Sequence, residues 1–220
     1  MDDSAQVSAR TSTIDDWTTA LAQSTGAPGG GAAAGVMLAI AYSLTSMVAG
    51  YTEVDDTLRA ELDAVKDRAR TGRKTALRLA DEDAAASKAF GRAFRIEPGA
   101  GREDAIREAS VQAAESSADL GITGAEAVSD LEWLATHGNP ALVADIAVAC
   151  GALRAAVAGA RANIGFDLGS LTSSGEALEN VRRQHPLLWK TVQQLDDVLA
   201  GIDRLTAEIE GRAVPEELQR

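Results

Sequence analysis

The sequence has one cysteine, two histidines, few aromatic residues and no excess of positive charge. A lone cysteine, Cys150, excludes an intrachain disulfide and a multi-cysteine zinc site, and its apolar surroundings predict a buried side chain. The net charge of −12 argues against binding to nucleic acid or to an anionic membrane surface. Because only 4% of residues are aromatic while 45% are hydrophobic, small aliphatic side chains must build the core, which favours closely packed helices.

The longest uncharged run, residues 26–52, is long enough to be mistaken for a membrane span. Its start is rich in glycine, and Ser43, Thr45 and Ser46 interrupt it. Acidic residues flank it instead of the basic residues typical of an inserted helix. We therefore expect a helix buried centrally in a bundle or a dimer. Residues 1–10 have no apolar core, so no signal peptide is predicted and we expect a cytoplasmic protein.

Capping residues and glycine or proline breaks divide the chain into helical segments, with no β-like alternation of useful length. Ser12 or Thr13 can cap the first helix, and Asn139 with Pro140 can start the seventh. Gly72 is predicted to separate the third and fourth helices. The predicted helices cover residues 14–24, 31–51, 55–71, 74–96, 103–120, 123–136, 140–168 and 176–210.

This pattern predicts an all-α protein with a single helical-bundle domain over residues 12–220, after a disordered N-terminus at residues 1–11. The second and seventh predicted helices are very apolar, so we expect them at the centre. The last predicted helix has apolar residues on one side only. Residues 170–220 are therefore expected to form a long amphipathic C-terminal arm, which serves either at a dimer contact or as a lid.

A glycine-rich loop formed by Pro28, Gly29, Gly30 and Gly31 leads directly into the second helix. Glycine reaches backbone conformations that other residues avoid. Several free N–H groups converge at the positive end of the helix. This arrangement suits a small anionic or polar ligand.

Asp145 is the strongest single candidate for chemistry, because it is the only acid between Glu132 and Asp167 and lies in an apolar helix. Burial of a carboxylate is costly and raises its pKa, as a general acid or base near neutral pH requires. The alternative is an aspartate that interacts with the helix dipole near an N-terminus.

A second acidic candidate is the run Asp81, Glu82 and Asp83 in the fourth predicted helix. Positions 81 and 83 cannot share a helix face, so at most one of them, or Glu82, points inward. Solvated helix surface is the default interpretation. The two histidines lie far apart and lack metal-ligand spacing, so no metal site is predicted, and no nucleophilic triad or nucleotide-binding fingerprint is present.

Three segments, in this order and at these separations, resemble the cyclodeaminase/cyclohydrolase family, which includes the C-terminal domain of formiminotransferase-cyclodeaminase and methenyltetrahydrofolate cyclohydrolase. They are residues 28–31, residues 79–84, and residues 138–140 with 145–149. The similarity spans about residues 14–168. It implies a homodimeric helical enzyme that acts on a small-molecule substrate, a one-carbon tetrahydrofolate derivative, without a cofactor.

The resemblance also implies roles for individual residues. Asp145 corresponds to the helix aspartate of the family and would act as acid or base on a cationic or amidine-like C–N centre. Asp81 or Asp83 would lie nearby. The implied substrate-binding residues are Pro28, Gly29, Gly30, Gly31, Asn139, Asn163 and Asp167.

The chain departs from the family pattern where the family has polar or cationic residues. Ala32 and Ala144 replace hydroxyl residues, Gly165 replaces an arginine, and Asp167 replaces an asparagine. The added charge at Asp167 favours a neutral or cationic substrate. Three functions therefore remain open: a folate cyclodeaminase or cyclohydrolase, a diverged non-folate cyclase of secondary metabolism that acts on an imine or iminium in a Pictet-Spengler-type reaction, and a non-catalytic helical dimer.

Overall fold

The computed structural model describes residues 7–173 and 177–213, and within these ranges it contains helices and turns but no strand. The predicted all-α class is confirmed. A short 3₁₀ turn at Pro140–Leu142 precedes the sixth α-helix. The helices are α1 (Ile14–Leu21), α2 (Gly30–Gly50), α3 (Arg59–Ala93), α4 (Ala100–Glu126), α5 (Val128–His137), α6 (Val143–Ser173), α7 (Leu178–Gln184) and α8 (Pro186–Ala213).

The two most apolar helices, α2 and α6, form the centre of the bundle, as predicted. Helix α2 packs against α3 and α6, and α6 also packs against α4 and α8. The side-chain amide of Asn139, just before α6, donates a hydrogen bond of 3.2 Å to the carbonyl of Tyr51 at the end of α2. The end of α2 therefore lies beside the start of α6, so the two helices run antiparallel.

Helix α3 continues through Gly72, so the predicted break at this glycine is wrong. A Cβ atom at Gly72 would lie 2.7 Å from Cε2 of Tyr42. The ring of Tyr42 packs directly on the helix at this point, and its hydroxyl donates to the carbonyl of Thr123 at 2.6 Å. Gly72 thus serves close helix packing and does not end a helix.

Other helix boundaries also differ from the prediction. Helix α4 runs through Gly121 and Gly124 because both pack closely against side chains of neighbouring helices. Helix α6 extends to Ser173, so much of the predicted 169–175 linker is helical, while residues 174–176 lie outside the described residues. The predicted helix over 176–210 is two helices that meet at His185, since Pro186 lacks an N–H group and disfavours a helical residue before it.

Thr13 caps α1 as predicted, since its hydroxyl accepts a hydrogen bond of 3.1 Å from the N–H of Asp16. Of the N-terminal segment expected to be disordered, residues 1–6 lie outside the described residues. Residues 7–12 form turns, and the N–H of Ser12 bonds to the carbonyl of Ser8 at 3.0 Å.

Two helical stretches, Gly30–Gly50 and Pro140–Thr172, are long and apolar enough to cross a membrane by length and composition. Of the most apolar 18-residue stretch in Gly30–Gly50, 56% is buried within the bundle. The corresponding share for Pro140–Thr172 is 33%. Cys150 is fully buried in α6, as expected. Because only 33% of the apolar stretch in Pro140–Thr172 is buried, part of the apolar surface of α6 remains uncovered within a single chain.

We expect Gly72→Ala to destabilise the protein by about 1–3 kcal/mol, because the added methyl group must displace the buried ring of Tyr42. Gly91→Ala in the same helix is the matched control, since a Cβ there meets nothing within 4 Å. The control should be neutral or stabilising by up to about 1 kcal/mol. Urea unfolding of the two variants measures the difference, and equal stabilities would refute the packing role of Gly72.

Candidate active site

The glycine-rich loop places an uncapped helix N-terminus inside the molecule. Gly29 is the N-cap residue of α2, no side chain caps the helix, and the first turn contains no acidic residue. Gly31 is buried in this first turn. The partial positive charge of the helix end is therefore available to a carboxylate from another helix.

The side chain of Asp83 in α3 supplies that carboxylate. A Cβ atom at Gly31 would lie 2.5 Å from Cγ of Asp83, so only glycine leaves room for the carboxylate. One turn further along α2, a Cβ at Gly35 would lie 2.7 Å from the Cβ of Ala80. The two glycines thus let α3 approach the start of α2 closely enough for Asp83 to reach it.

Asp83 is only 7% exposed, and its Oδ2 atom is buried without a hydrogen-bond partner within the described residues. Burial raises the pKa of Asp83, while hydrogen bonding from the N–H of Ala32 and the hydroxyl of Ser87 acts in the opposite direction. A buried oxygen without a partner is costly. Such an atom is well suited to hold a proton or to face a bound cationic group.

Asp167 in α6 forms a pair with Asp83. It is half-buried, and burial together with repulsion from the charge of Asp83 raises the pKa of Asp167 to about 7. Two carboxyl groups that repel one another do not both ionise readily. Near neutral pH the pair can therefore hold one proton and can both donate and accept it.

Asp130, the other buried aspartate of the described chain, has a different environment. The guanidinium of Arg68 donates to it from Nε at 3.0 Å and from Nη2 at 2.6 Å. A carboxylate bound by two N–H groups of an arginine is a structural ion pair. Among residues 7–173 and 177–213, no ion pair with a cation involves Asp83 or Asp167, and this marks their pair as a candidate for chemistry.

The other two acids of the 81–83 run have partners outside the pair. Asp81 accepts hydrogen bonds from the hydroxyl of Ser8 at 2.7 Å and from the N–H of Ala9 at 2.6 Å. Glu82 is exposed and pairs with Arg78 at 2.5 Å. Asp83 alone is buried, in agreement with the expectation that at most one of the three acids points inward.

The remaining predicted site residues are divided between two ends of the bundle. Asn163 is half-buried one turn before Asp167. Asp145 is also half-buried but lies about 33 Å from Asp167 along α6. Asn139 lies near Asp145, where its side chain accepts from the N–H of Ala141 at 3.0 Å and donates to Tyr51. Within one chain, Asp145 and Asn139 do not meet the carboxylate pair.

A groove with a volume of about 1050 Å³ opens beside the glycine-rich loop. Sequence reasoning missed most of its polar lining. The missed residues include Ser87, Lys88 and Arg92 from the C-terminal part of α3, and Arg95 just beyond its end. The spacing of Lys88, Arg92 and Arg95, at four and three residues, is the signal that could have identified the cations.

Known proteins resemble this chain in sequence pattern and in fold. The sequence profile of the formiminotransferase-cyclodeaminase family matches residues 13–184. The crystal structure of formiminotetrahydrofolate cyclodeaminase from Thermotoga maritima is similar in fold, with a TM-score of 0.80 and 20% sequence identity over 93% of this chain and 99% of that chain. Among curated protein sequences, none matches this chain significantly.

We expect Asp167→Asn to stabilise the protein increasingly as the pH rises from about 4 to about 7. Because the pKa of Asp167 is raised in the folded protein, the folded state holds this proton more tightly than the unfolded state. Ionisation therefore destabilises the fold over that pH range. Thermal unfolding as a function of pH measures the effect.

The control for that experiment is Asp63→Asn, which removes one negative charge from an exposed position on α3. Its stability relative to the wild-type protein should show no comparable increase between pH 4 and pH 7. A pH-independent difference for Asp167→Asn would contradict the pairing with Asp83.

Proposed function

Because the chain belongs to the formiminotransferase-cyclodeaminase family, we propose that it is an enzyme that performs acid/base chemistry on the C–N centre of a one-carbon tetrahydrofolate derivative. The candidate reactions are hydrolysis of 5,10-methenyltetrahydrofolate and cyclodeamination of formiminotetrahydrofolate. The observation that carries the proposal is the pair formed by buried Asp83 and half-buried Asp167 beside the glycine-rich loop.

The carboxylate pair suits both reactions. In hydrolysis, water adds to the cationic methenyl carbon, a carboxylate accepts the proton of the water, and the departing ring nitrogen regains a proton when the C–N bond breaks. In cyclodeamination, an amine attacks the formimino carbon, and a proton is delivered to the nitrogen that leaves as ammonia. A negative charge in a partly buried site also stabilises the cationic centre.

We further propose that the protein is a homodimer that pairs through the exposed face of α2 and α6. The side chains of Ile40 in α2 and of Val148 and Phe166 in α6 are 48%, 60% and 80% exposed. Small residues such as Gly151 and Ala155 lie exposed between the two bulky side chains of α6. An apolar face of this length on central helices is typical of an interface between subunits.

This dimer gives Asp145 a place in the mechanism. Asp145 and Asp167 lie within about 40° of each other around the axis of α6, at opposite ends of the helix. A two-fold axis that crosses α6 near Ala155 would bring Asp145 of the partner subunit close to Asp167. We propose that each active site contains the carboxylate pair of one subunit and Asp145 of the partner subunit.

The activity test follows the absorbance of 5,10-methenyltetrahydrofolate with purified protein. We expect wild-type protein to consume it and Asp83→Asn to lose at least about 100-fold in kcat, the typical contribution of an acid or base. Glu82→Gln, an exposed acid of the same turn, is the control and should retain activity. If the wild type consumes neither this compound nor formiminotetrahydrofolate, the proposed function is wrong.

Mixing two inactive variants tests the shared site. If Asp145 acts in the partner subunit, a refolded equimolar mixture of Asp145→Asn and Asp83→Asn should recover about a quarter of the wild-type activity, because half of the dimers contain one intact site. No recovery would place both residues in the same subunit.

Sedimentation tests the proposed dimer interface. The wild-type protein should sediment as a dimer, and Ala155→Lys should dissociate it. Ala200→Lys, at an exposed position of α8, is the control and should leave the dimer intact.

A further inference from the structure

The groove beside the glycine-rich loop does not reach the carboxylate pair directly. Neither Asp83 nor Asp167 lines it, whereas Ser87, one helical turn after Asp83 on α3, does. Because Asp83 is only 7% exposed, a group in the groove needs an intermediate to exchange a proton with it. The hydroxyl of Ser87 is the polar group that lies between the two.

Three features of the fold hold Ser87 in this position. Residues four apart on a helix are neighbours on its surface, so Ser87 and Asp83 share one face of α3. Burial raises the pKa of Asp83, and a hydrogen bond from the Ser87 hydroxyl is among the contacts that oppose this rise. A Cβ at Gly29 would lie 3.9 Å from Oγ of Ser87, so the hydroxyl also lies against the glycine-rich loop.

Ser87 differs from many hydroxyl residues in the helices of this chain. Serine in a helix commonly donates to the carbonyl four residues earlier, as Ser43 and Ser110 do at 2.7 and 2.8 Å. Within the described part of the chain, no such bond joins Ser87 to the backbone carbonyl of Asp83. Its proton is directed to the side chain of Asp83 instead, and a lone pair of its oxygen can accept a proton from the groove.

We infer that Ser87 is a proton relay between Asp83 and the reacting group of a substrate in the groove. The inference rests on the proposed function, because it takes Asp83 as the acid or base of the reaction. A hydroxyl both donates and accepts, so Ser87 can receive a proton on one side while it passes its own to the other. Ser87 ends each transfer unchanged, and only the charge of Asp83 changes.

In the hydrolysis of 5,10-methenyltetrahydrofolate the relay works in both directions. Water adds to the cationic carbon and loses a proton to Oγ of Ser87, while the hydroxyl proton of Ser87 passes to the Asp83 carboxylate. The ring nitrogen of the neutral carbinolamine then takes this proton back along the same route, and the C–N bond breaks. The carbinol hydroxyl releases the one proton that the overall reaction gives to solvent. Asp83 is therefore ionised again at the end of the turnover.

The activity test compares Ser87→Ala with Ser87→Thr, which keeps a hydroxyl at the same position. Ser87→Ala should lower kcat on 5,10-methenyltetrahydrofolate at least about tenfold and change KM by less than about twofold, because the relay acts on proton transfer and not on binding. Ser87→Thr should retain most of the activity. Ser129→Ala, at an exposed position of α5, is the control and should match the wild type.

A second measurement does not depend on turnover. In carbon NMR titrations Ser87→Ala should raise the pKa of Asp83, because the charged carboxylate loses a hydrogen-bond donor, and Ser129→Ala should leave this pKa unchanged. An unshifted pKa of Asp83 in Ser87→Ala would overturn the relay whether or not the wild type is active.

The two measurements separate the relay from the proposed function. Wild-type turnover that Ser87→Ala leaves intact would overturn the relay alone. A loss of activity that Ser87→Thr does not restore would assign Ser87 a packing role and would also overturn the relay. If the wild type turns over neither folate compound, the proposed function is wrong, and the titration alone decides whether Ser87 couples Asp83 to the groove.

Discussion

The contact between the Asp83 carboxylate and Gly31 is the constraint on which the candidate site depends. A buried carboxylate with an oxygen that lacks a partner costs free energy, and the N-terminus of α2 offsets part of that cost. The contact requires glycine at position 31 and a close crossing of α2 and α3 at Gly35. Burial of Asp167, together with the repulsion from Asp83, keeps a proton in the site near neutral pH.

The same helices serve the core and the site. Because α2 carries no charge and is rich in small residues, it can lie between α3 and α6 and bring one carboxylate from each to its N-terminal end. Its opposite end meets the start of α6, where Asn139 caps the turn. The long antiparallel contact therefore separates the two groups of predicted site residues by most of the length of the bundle, and a second subunit is the simplest way to reunite them.

Sequence reasoning predicted the helical class, the central helices and the glycine-rich loop, because periodicity and capping act locally along the chain. It misread Gly72 as a break, since a glycine that accommodates the ring of Tyr42 looks the same in sequence as one that ends a helix. It left Asp81 and Asp83 unresolved, because which of them is buried depends on the crossing with α2. The cations at Lys88, Arg92 and Arg95 were missed because only the neighbouring loop turns their helix face into the wall of a groove.

The most direct test of the account is titration of Asp83 and Asp167 by carbon NMR of the side-chain carboxyl groups, with assignments from the single asparagine variants. The account predicts that Asp167 titrates near pH 7, that the pKa of Asp83 lies above its ordinary range, and that Asp83→Asn lowers the pKa of Asp167. Two independent titrations near pH 4 that neither variant shifts would contradict a proton shared between the two carboxyl groups, and with it the proposed chemistry.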